Sequence, residues 1–134
     1  MPAGDISFSS SKRADLEGAI RAAETLSRVE FSVFVGDTPE DTAAYARRLH
    51  GGLAAPARSV LIMIDGNRRA LEIVAGSYVR RTLTDAELEI ATIQLSTDLA
   101  AGDVHGGLKR CIGLLAEHAR PQRVLHADEE PVEA

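Results

Sequence analysis

Five polar residues follow the two most apolar segments of the chain, where they could bind a metal ion or a phosphate. Asp37 and Thr38 follow the segment VEFSVFVG, and Asp65, Asn67 and Arg68 follow SVLIMI. If these segments are parallel strands, their carboxyl ends share one edge of the sheet, where open α/β sheets usually bind ligands. The carboxylates, the hydroxyl and the arginine could hold a divalent cation and a phosphate. The alternative, which we favour, is that both aspartates only form turns.

A second group of charged residues lies in the segment SYVRRTLTDAELE. Thr84 followed by Glu87 is a capping box, in which each side chain accepts a hydrogen bond from the backbone N–H of the other residue. Asp85 and Glu87 also stand where negative charge favours the helix dipole. We therefore interpret both acids as helix-start residues, with metal binding or acid–base chemistry as the alternative.

Arg80 and Arg81, in the same segment, could bind a phosphate or a carboxylate, because arginine presents a planar fork of donors. Arginines more often form a solvated edge or pair with nearby acids. No G-x-G-x-x-G motif or P-loop accompanies them, so nucleotide binding of those types is not predicted. The pair alone is a weak anion-binding signal.

These residues are positioned by seven predicted elements in the order α-β-α-β-β-α-α. Apolar periodicity, Gly/Pro punctuation and caps, including Thr38 and Asp103, predict helices over 10–27, 39–49, 84–101 and 104–120 and strands over 29–36, 59–64 and 69–76. The strand–helix–strand crossover makes the first two strands parallel and right-handed. The turn after SVLIMI returns the third strand antiparallel. The prediction is an α/β fold with a small mixed sheet flanked by helices on both faces.

Size and composition indicate one soluble domain over 10–120, between a flexible N-terminus (1–9) and a disordered acidic tail (121–134). The formal net charge of −5 and the aromatic content of 4% argue against a nucleic-acid binder. The N-terminus lacks the apolar core of a signal peptide. The longest apolar run, VLIMI, is too short to cross a bilayer. We therefore expect a cytoplasmic protein without a membrane span.

With this order of elements, residues 10–119 resemble the TPM domain family. That family includes thylakoid-lumen phosphatase-like proteins, photosystem II repair proteins and a receptor modulator, and the chain is similar to its uncharacterised actinobacterial branch. The resemblance implies a sheet between helices, with acid phosphatase activity, calcium binding or membrane-protein repair as family functions. It is carried by Gly76, Leu83, Thr84, Asp85, Ala86, Gly102, Asp103, Gly107 and Leu108.

Two departures from the family pattern bear on these activities. Ala57-Arg58-Ser59 stands where the family commonly has an Asn-Gly before the second strand. Gly76-Ser77-Tyr78 replaces a glycine-x-glycine after the third strand. Both changes fall where a ligand loop would lie, so the resemblance does not carry over the phosphatase and calcium activities.

Three functions remain as hypotheses. The first is a non-catalytic module that binds a protein partner or supports stress or repair functions. The second is a metal-assisted phosphatase, with Asp37, Asp65 and Asp85 as ligands and Arg68 or Arg80 on the phosphate. The third is divalent-cation binding without turnover. Asp85 fits the second hypothesis poorly, because the antiparallel third strand leads the chain away from the edge that holds Asp65.

Overall fold

The computed structural model describes residues 8–39 and 41–121. The predicted order of elements and the mixed α/β class are confirmed, with two added 3₁₀ turns at Pro56–Arg58 and Val79–Arg81. The predicted N-terminus and acidic tail lie almost entirely outside the described residues. The elements are α1 Ser10–Ser27, β1 Glu30–Val35, α2 Thr42–Gly51, β2 Ser59–Asp65, β3 Ala70–Ala75, α3 Asp85–Ala100 and α4 Val104–Ala119.

The three strands form one sheet in the order β1-β2-β3. β1 runs parallel to β2, with Val33 opposite Ile62, and β2 runs antiparallel to β3, with Ile62 opposite Ile73. The parallel pairing of β1 with β2 and the antiparallel hairpin are therefore as predicted. Among the described helices, none is long and apolar enough to span a membrane.

The sheet is covered by helices on both faces, and the two coverings are unequal. Every residue of the central strand β2 is buried. Because side chains alternate along a strand, Val60, Ile62 and Ile64 enter a large core with residues of α1, α3 and α4. Leu61 and Met63 enter a smaller cluster, in which Ala46 of α2 is the third buried member. A run that is apolar on both faces thus predicted a central strand correctly.

The predicted starts of α3 and α4 are confirmed. The Thr84 hydroxyl accepts a hydrogen bond from the Glu87 amide at 3.1 Å, and the Glu87 carboxylate accepts one from the Thr84 amide at 2.9 Å. The Asp103 carboxylate accepts a hydrogen bond from the Gly106 amide at 3.0 Å. Both caps satisfy backbone donors that the first helical turn leaves without partners.

The predicted start of α2 is wrong, because Thr38 does not cap this helix. α2 begins at Thr42, and the Asp41 carboxylate accepts a hydrogen bond from the Ala44 amide at 3.0 Å. The amide and the hydroxyl of Thr38 instead both donate to Asp65. Thr38 is therefore joined to the end of β2 and lies outside the helix.

Candidate functional site

A buried polar group lies where β1 and β2 end, and its centre is Asp65. The Asp65 side chain, only 1% exposed, is the last of β2. Its Oδ2 atom accepts hydrogen bonds from the Thr38 amide at 2.7 Å and from the Thr38 hydroxyl at 2.6 Å. The carboxylate thus fastens the segment after β1 to the end of β2.

Arg68 completes the environment of Asp65 from the hairpin turn. The Arg68 amide donates to Asp65 Oδ1 at 3.1 Å. The Arg68 Nε atom donates to the Thr38 carbonyl at 2.9 Å and lies 3.7 Å from Asp65 Oδ2. Burial alone would raise the pKa of Asp65, but the hydrogen bonds from Thr38 and Arg68 outweigh it and hold the pKa below its ordinary value. Asp65 is therefore ionised near neutral pH.

Asp37 and Asn67 make a second bridge at the same edge. The Asn67 Nδ2 atom donates to Asp37 Oδ1 at 2.7 Å, and the contact is exposed. The structure thus brings together all five residues that the strand topology placed at this edge. They bind one another, and only the bond from the Arg68 amide to Asp65 is the local contact of a turn-forming aspartate; the contacts with Thr38 and Asn67 join segments distant in sequence.

Asp85, the third proposed metal ligand, makes a different contact. It is exposed at the start of α3 and pairs with the Arg80 guanidinium. Over residues 8–39 and 41–121, no three histidine, cysteine, aspartate or glutamate side chains group as metal ligands would. The oxygens of Asp65 are occupied by Thr38 and Arg68. The described residues therefore do not bring Asp37, Asp65 and Asp85 together as ligands of one metal ion.

Glu87, the acid of the capping box, also has a structural role. Its pKa lies below the ordinary value, chiefly because its carboxylate accepts the Thr84 amide and also because His118 is close. The His118 Nδ1 atom of α4 lies 3.0 Å from Glu87 Oε2. The box therefore ties the start of α3 to the end of α4, a contact that residue spacing does not reveal.

One exposed cluster, formed by Arg58, Tyr78 and Arg81, was missed by the sequence analysis. The Arg58 Cζ atom lies 4.0 Å from the centroid of the Tyr78 ring, and the Arg81 Cζ atom lies 5.2 Å from it. Arg58 is distant in sequence from the other two, so no motif spacing signals the contact. The contact of both arginines with one aromatic ring arises only because the two 3₁₀ turns are adjacent.

The exposed face of α3 was also missed. Ile90 and Ile93 are each 58% exposed, the most exposed of the large hydrophobic side chains in the described residues. They lie off the inner stripe of α3, whose Ala91 and Leu95 are buried. The sequence did carry this signal, because two isoleucines outside the core stripe of an amphipathic helix are unusual.

Comparison with protein families gives one match over most of the chain. The family described as Domain of unknown function (DUF5130) matches residues 2–116. The curated relatives include uncharacterized proteins MT2543 and Rv2468c, from two strains of Mycobacterium tuberculosis. Each is 29% identical over 106 residues, which cover 79% of this chain and 64% of the relative. The chain therefore spans less than two thirds of the length of these relatives.

Solved structures with the same fold come from three other bacteria. Protein BA42 of Bizionia argentinensis has a TM-score of 0.77 at 18% identity, covering 86% of this chain and 83% of that protein. The N-terminal domain of a P. gingivalis protein has a TM-score of 0.63 at 20% identity, covering 82% and 74%. The N-terminal domain of cg2496 from Corynebacterium glutamicum has a TM-score of 0.63 at 20% identity, covering 89% and 78%. At these identities the likeness shows the fold alone.

Proposed function

We propose that this chain, which belongs to the family described as Domain of unknown function (DUF5130), is a non-catalytic module that binds a protein partner through the outer face of α3. The observation that carries the proposal is the pair Ile90 and Ile93, each 58% exposed on a regular helix. Scattered exposed hydrophobic residues are normal, but neighbouring ones on a single helix face favour an interaction surface.

The two isoleucines belong to a continuous stripe, which we call the α3 outer stripe. Its members are all exposed and alternate at spacings of four and three residues: Ala86, Ile90, Ile93, Thr97 and Ala100. This spacing keeps side chains on one side of a helix and is the repeat by which two helices pack together. The partner surface that fits it best is an apolar helix or groove.

The opposite side of α3 is already engaged by the protein itself. Ala91 and Leu95 are buried in the large core. The capping box and the Glu87–His118 contact fix the start of the helix. The outer stripe is therefore held on a rigid element, which lowers the entropic cost of binding.

The contacts of Asp65 argue against the phosphatase and the calcium-binding hypotheses. A metal ligand or general base needs a lone pair that substrate or metal can reach. The Asp65 carboxylate accepts three hydrogen bonds and is almost completely buried. Its geometry is that of a structural clamp.

We further infer that the chain is related to TPM domains and works in the cytoplasm in stress or repair functions. The TPM relation is supported by the matching residues around Gly76, Thr84 and Asp103 and by the order of elements. The identity of a partner captured in the experiment below would test both the cytoplasmic location and the role in stress or repair. A partner confined to another compartment would contradict the cytoplasmic assignment.

The proposal is tested by placing a photo-crosslinking residue at position 93 and, separately, at position 26 in cells of the source organism. Leu26 is the matched control, because it is a 40%-exposed apolar residue on α1. We expect one recurrent protein to be captured from position 93 only. With that protein purified, Ile90→Gln plus Ile93→Gln should weaken binding at least tenfold, since each isoleucine would lose part of its ~1.5–3 kcal/mol of burial. Leu26→Gln should leave binding unchanged.

Three results would contradict the proposal. Capture at both positions would indicate nonspecific contact, and capture at neither would remove the evidence for a partner. Capture of a second copy of this chain would identify a homodimer in place of a separate partner. Equal binding by the double variant and the wild type would exclude the α3 outer stripe as the contact.

A further inference from the structure

We propose that Arg58, Tyr78 and Arg81 form a binding site for an oxyanion, the phosphate or carboxylate group of a ligand. Neither arginine has a carboxylate within ion-pair distance in the described part of the chain, whereas nearby Arg80 pairs with Asp85. This site is separate from the α3 outer stripe and does not depend on the proposed function.

The two guanidinium groups are close enough for their charges to act together on one anion. Both contact the same tyrosine ring, so their Cζ atoms lie within about 9 Å of each other, inside the Debye length of ~10 Å at 0.1 M salt. Two like charges at this separation repel each other, and an anion bound beside both guanidinium groups offsets that repulsion. The concentration of positive charge contrasts with the formal net charge of −5 for the whole chain.

Stacking on a ring leaves an arginine able to bind an anion. A guanidinium that packs its flat face against an aromatic ring keeps the N–H groups at its edge free to donate. Those donors match the two oxygens of a carboxylate or phosphate in a bidentate arrangement. The exposed Tyr78 side chain carries a phenol O–H, which is a further donor in the cluster.

The two segments that carry the cluster are held together by backbone contacts. The Tyr78 amide donates to the Ala57 carbonyl at 3.0 Å. A Cβ atom on Gly76 would lie 2.0 Å from the Pro56 carbonyl oxygen, so only glycine permits this approach. Val79, beside the tyrosine, is 1% exposed. The site is therefore preorganised, and an incoming anion does not have to order the loops.

The test is an NMR titration of the full chain with inorganic phosphate and, separately, with acetate, at constant ionic strength set by chloride. The signals to follow are the Tyr78 ring protons and the arginine Nε–H groups. We expect saturable shifts confined to the cluster with at least one of the two anions. The anion that binds more tightly identifies the ligand group as phosphate or carboxylate.

Variants test whether the cluster is responsible for the anion binding. Arg58→Gln and Arg81→Gln should each weaken binding about tenfold or more. Arg47→Gln removes an exposed arginine on α2 and should leave binding unchanged. Arg58→Lys keeps the charge but removes the planar fork, so its affinity should fall between wild type and Arg58→Gln.

The proposal is overturned if both anions give only linear, non-saturating shifts. It is also overturned if Arg47→Gln weakens binding as much as the two cluster variants, because the effect would then be one of overall charge. Full affinity in Arg58→Lys would exclude bidentate recognition. Backbone spectra of each variant, matching the wild type away from the substitution, ensure that lost binding is not lost folding.

Discussion

Replacing the Asp65 carboxylate by an amide, Asp65→Asn, tests whether this residue is a structural clamp or a reactive group. An asparagine oxygen at the Oδ2 position can still accept from the Thr38 amide and hydroxyl, but without the negative charge. Its NH₂ group must then face the Arg68 amide, so that two donors meet in a partly buried place. Charge-assisted hydrogen bonds and unpaired buried donors are each worth ~1–3 kcal/mol. We expect a loss of about 3 kcal/mol in the free energy of unfolding.

The assay is thermal and urea unfolding followed by circular dichroism. For a domain of this size the loss corresponds to a fall in melting temperature of about 10 °C. Asp37→Asn is the matched control, because its contact with Asn67 is exposed and an amide can still accept that bond. The control should melt within about 2 °C of the wild type, as surface substitutions usually do.

The dependence on pH gives a second check of the same reasoning. The pKa of Asp65 is lowered in the folded state from its ordinary value of 3.8. Its contribution is therefore fully present above that value and is lost as the pH falls through the lower, folded pKa. The stability difference between wild type and Asp65→Asn should be constant from pH 5 to 7 and should shrink below about pH 4.

The reasoning is refuted if Asp65→Asn melts with the wild type at pH 7. If Asp65 were instead a metal ligand of a phosphatase, Asp65→Asn would abolish turnover and leave the melting temperature unchanged. A double-mutant cycle with Thr38→Val, which removes the hydroxyl and keeps the shape, should give a coupling of about 1 kcal/mol between the two residues.

Three further predictions concern the close approach at Gly76, the capping box and the single cysteine. Gly76→Ala should lower stability by about 3 kcal/mol, because its Cβ would collide with backbone at Pro56; an unchanged urea midpoint would contradict this. Thr84→Ala should lower the stability of the first turn of α3 by ~1 kcal/mol, because the Glu87 amide loses its bond to the hydroxyl, and amide exchange in that turn should become faster. Unchanged exchange rates would show that the cap is dispensable. Burial raises the pKa of the Cys111 thiol to about 12, so a thiol reagent should modify it only at the rate at which the protein unfolds. Rapid labelling of the native protein would contradict the burial of this thiol.

The fold could be predicted from the sequence because its signals are local or follow from chain topology. The run SVLIMI is apolar on both faces and became the buried central strand β2. The turn from Asp65 to Arg68 returned β3 antiparallel, and Thr84 with Glu87 formed the capping box. Each rests on residues close in sequence, for which spacing determines geometry.

The contacts of the site could be predicted only in part. Parallel strands end at one edge, so Asp37 and Asp65 were placed correctly near each other. Which partner takes the lone pairs of Asp65 depends on the path of the chain after β1, and that path turns Thr38 toward Asp65 and away from α2. The meeting of Arg58 with Tyr78 depends in turn on how closely two separate turns pack. Neither the contact of Thr38 with Asp65 nor that of Arg58 with Tyr78 can be read from residues close in sequence.

The unequal covering of the sheet has a consequence for how the native protein opens. Among the described residues, α2 and a small cluster around Leu61 and Met63 cover one face, whereas three helices contribute to the core on the other face. Local opening requires less free energy where less apolar surface is exposed. Native-state hydrogen exchange should therefore find α2 opening well below the global unfolding free energy, with α4 exchanging only on complete unfolding. The Asp65–Thr38 contact attaches the segment that leads into α2 to the end of β2. Its loss should therefore make the α2 face of the sheet open more readily than the other face.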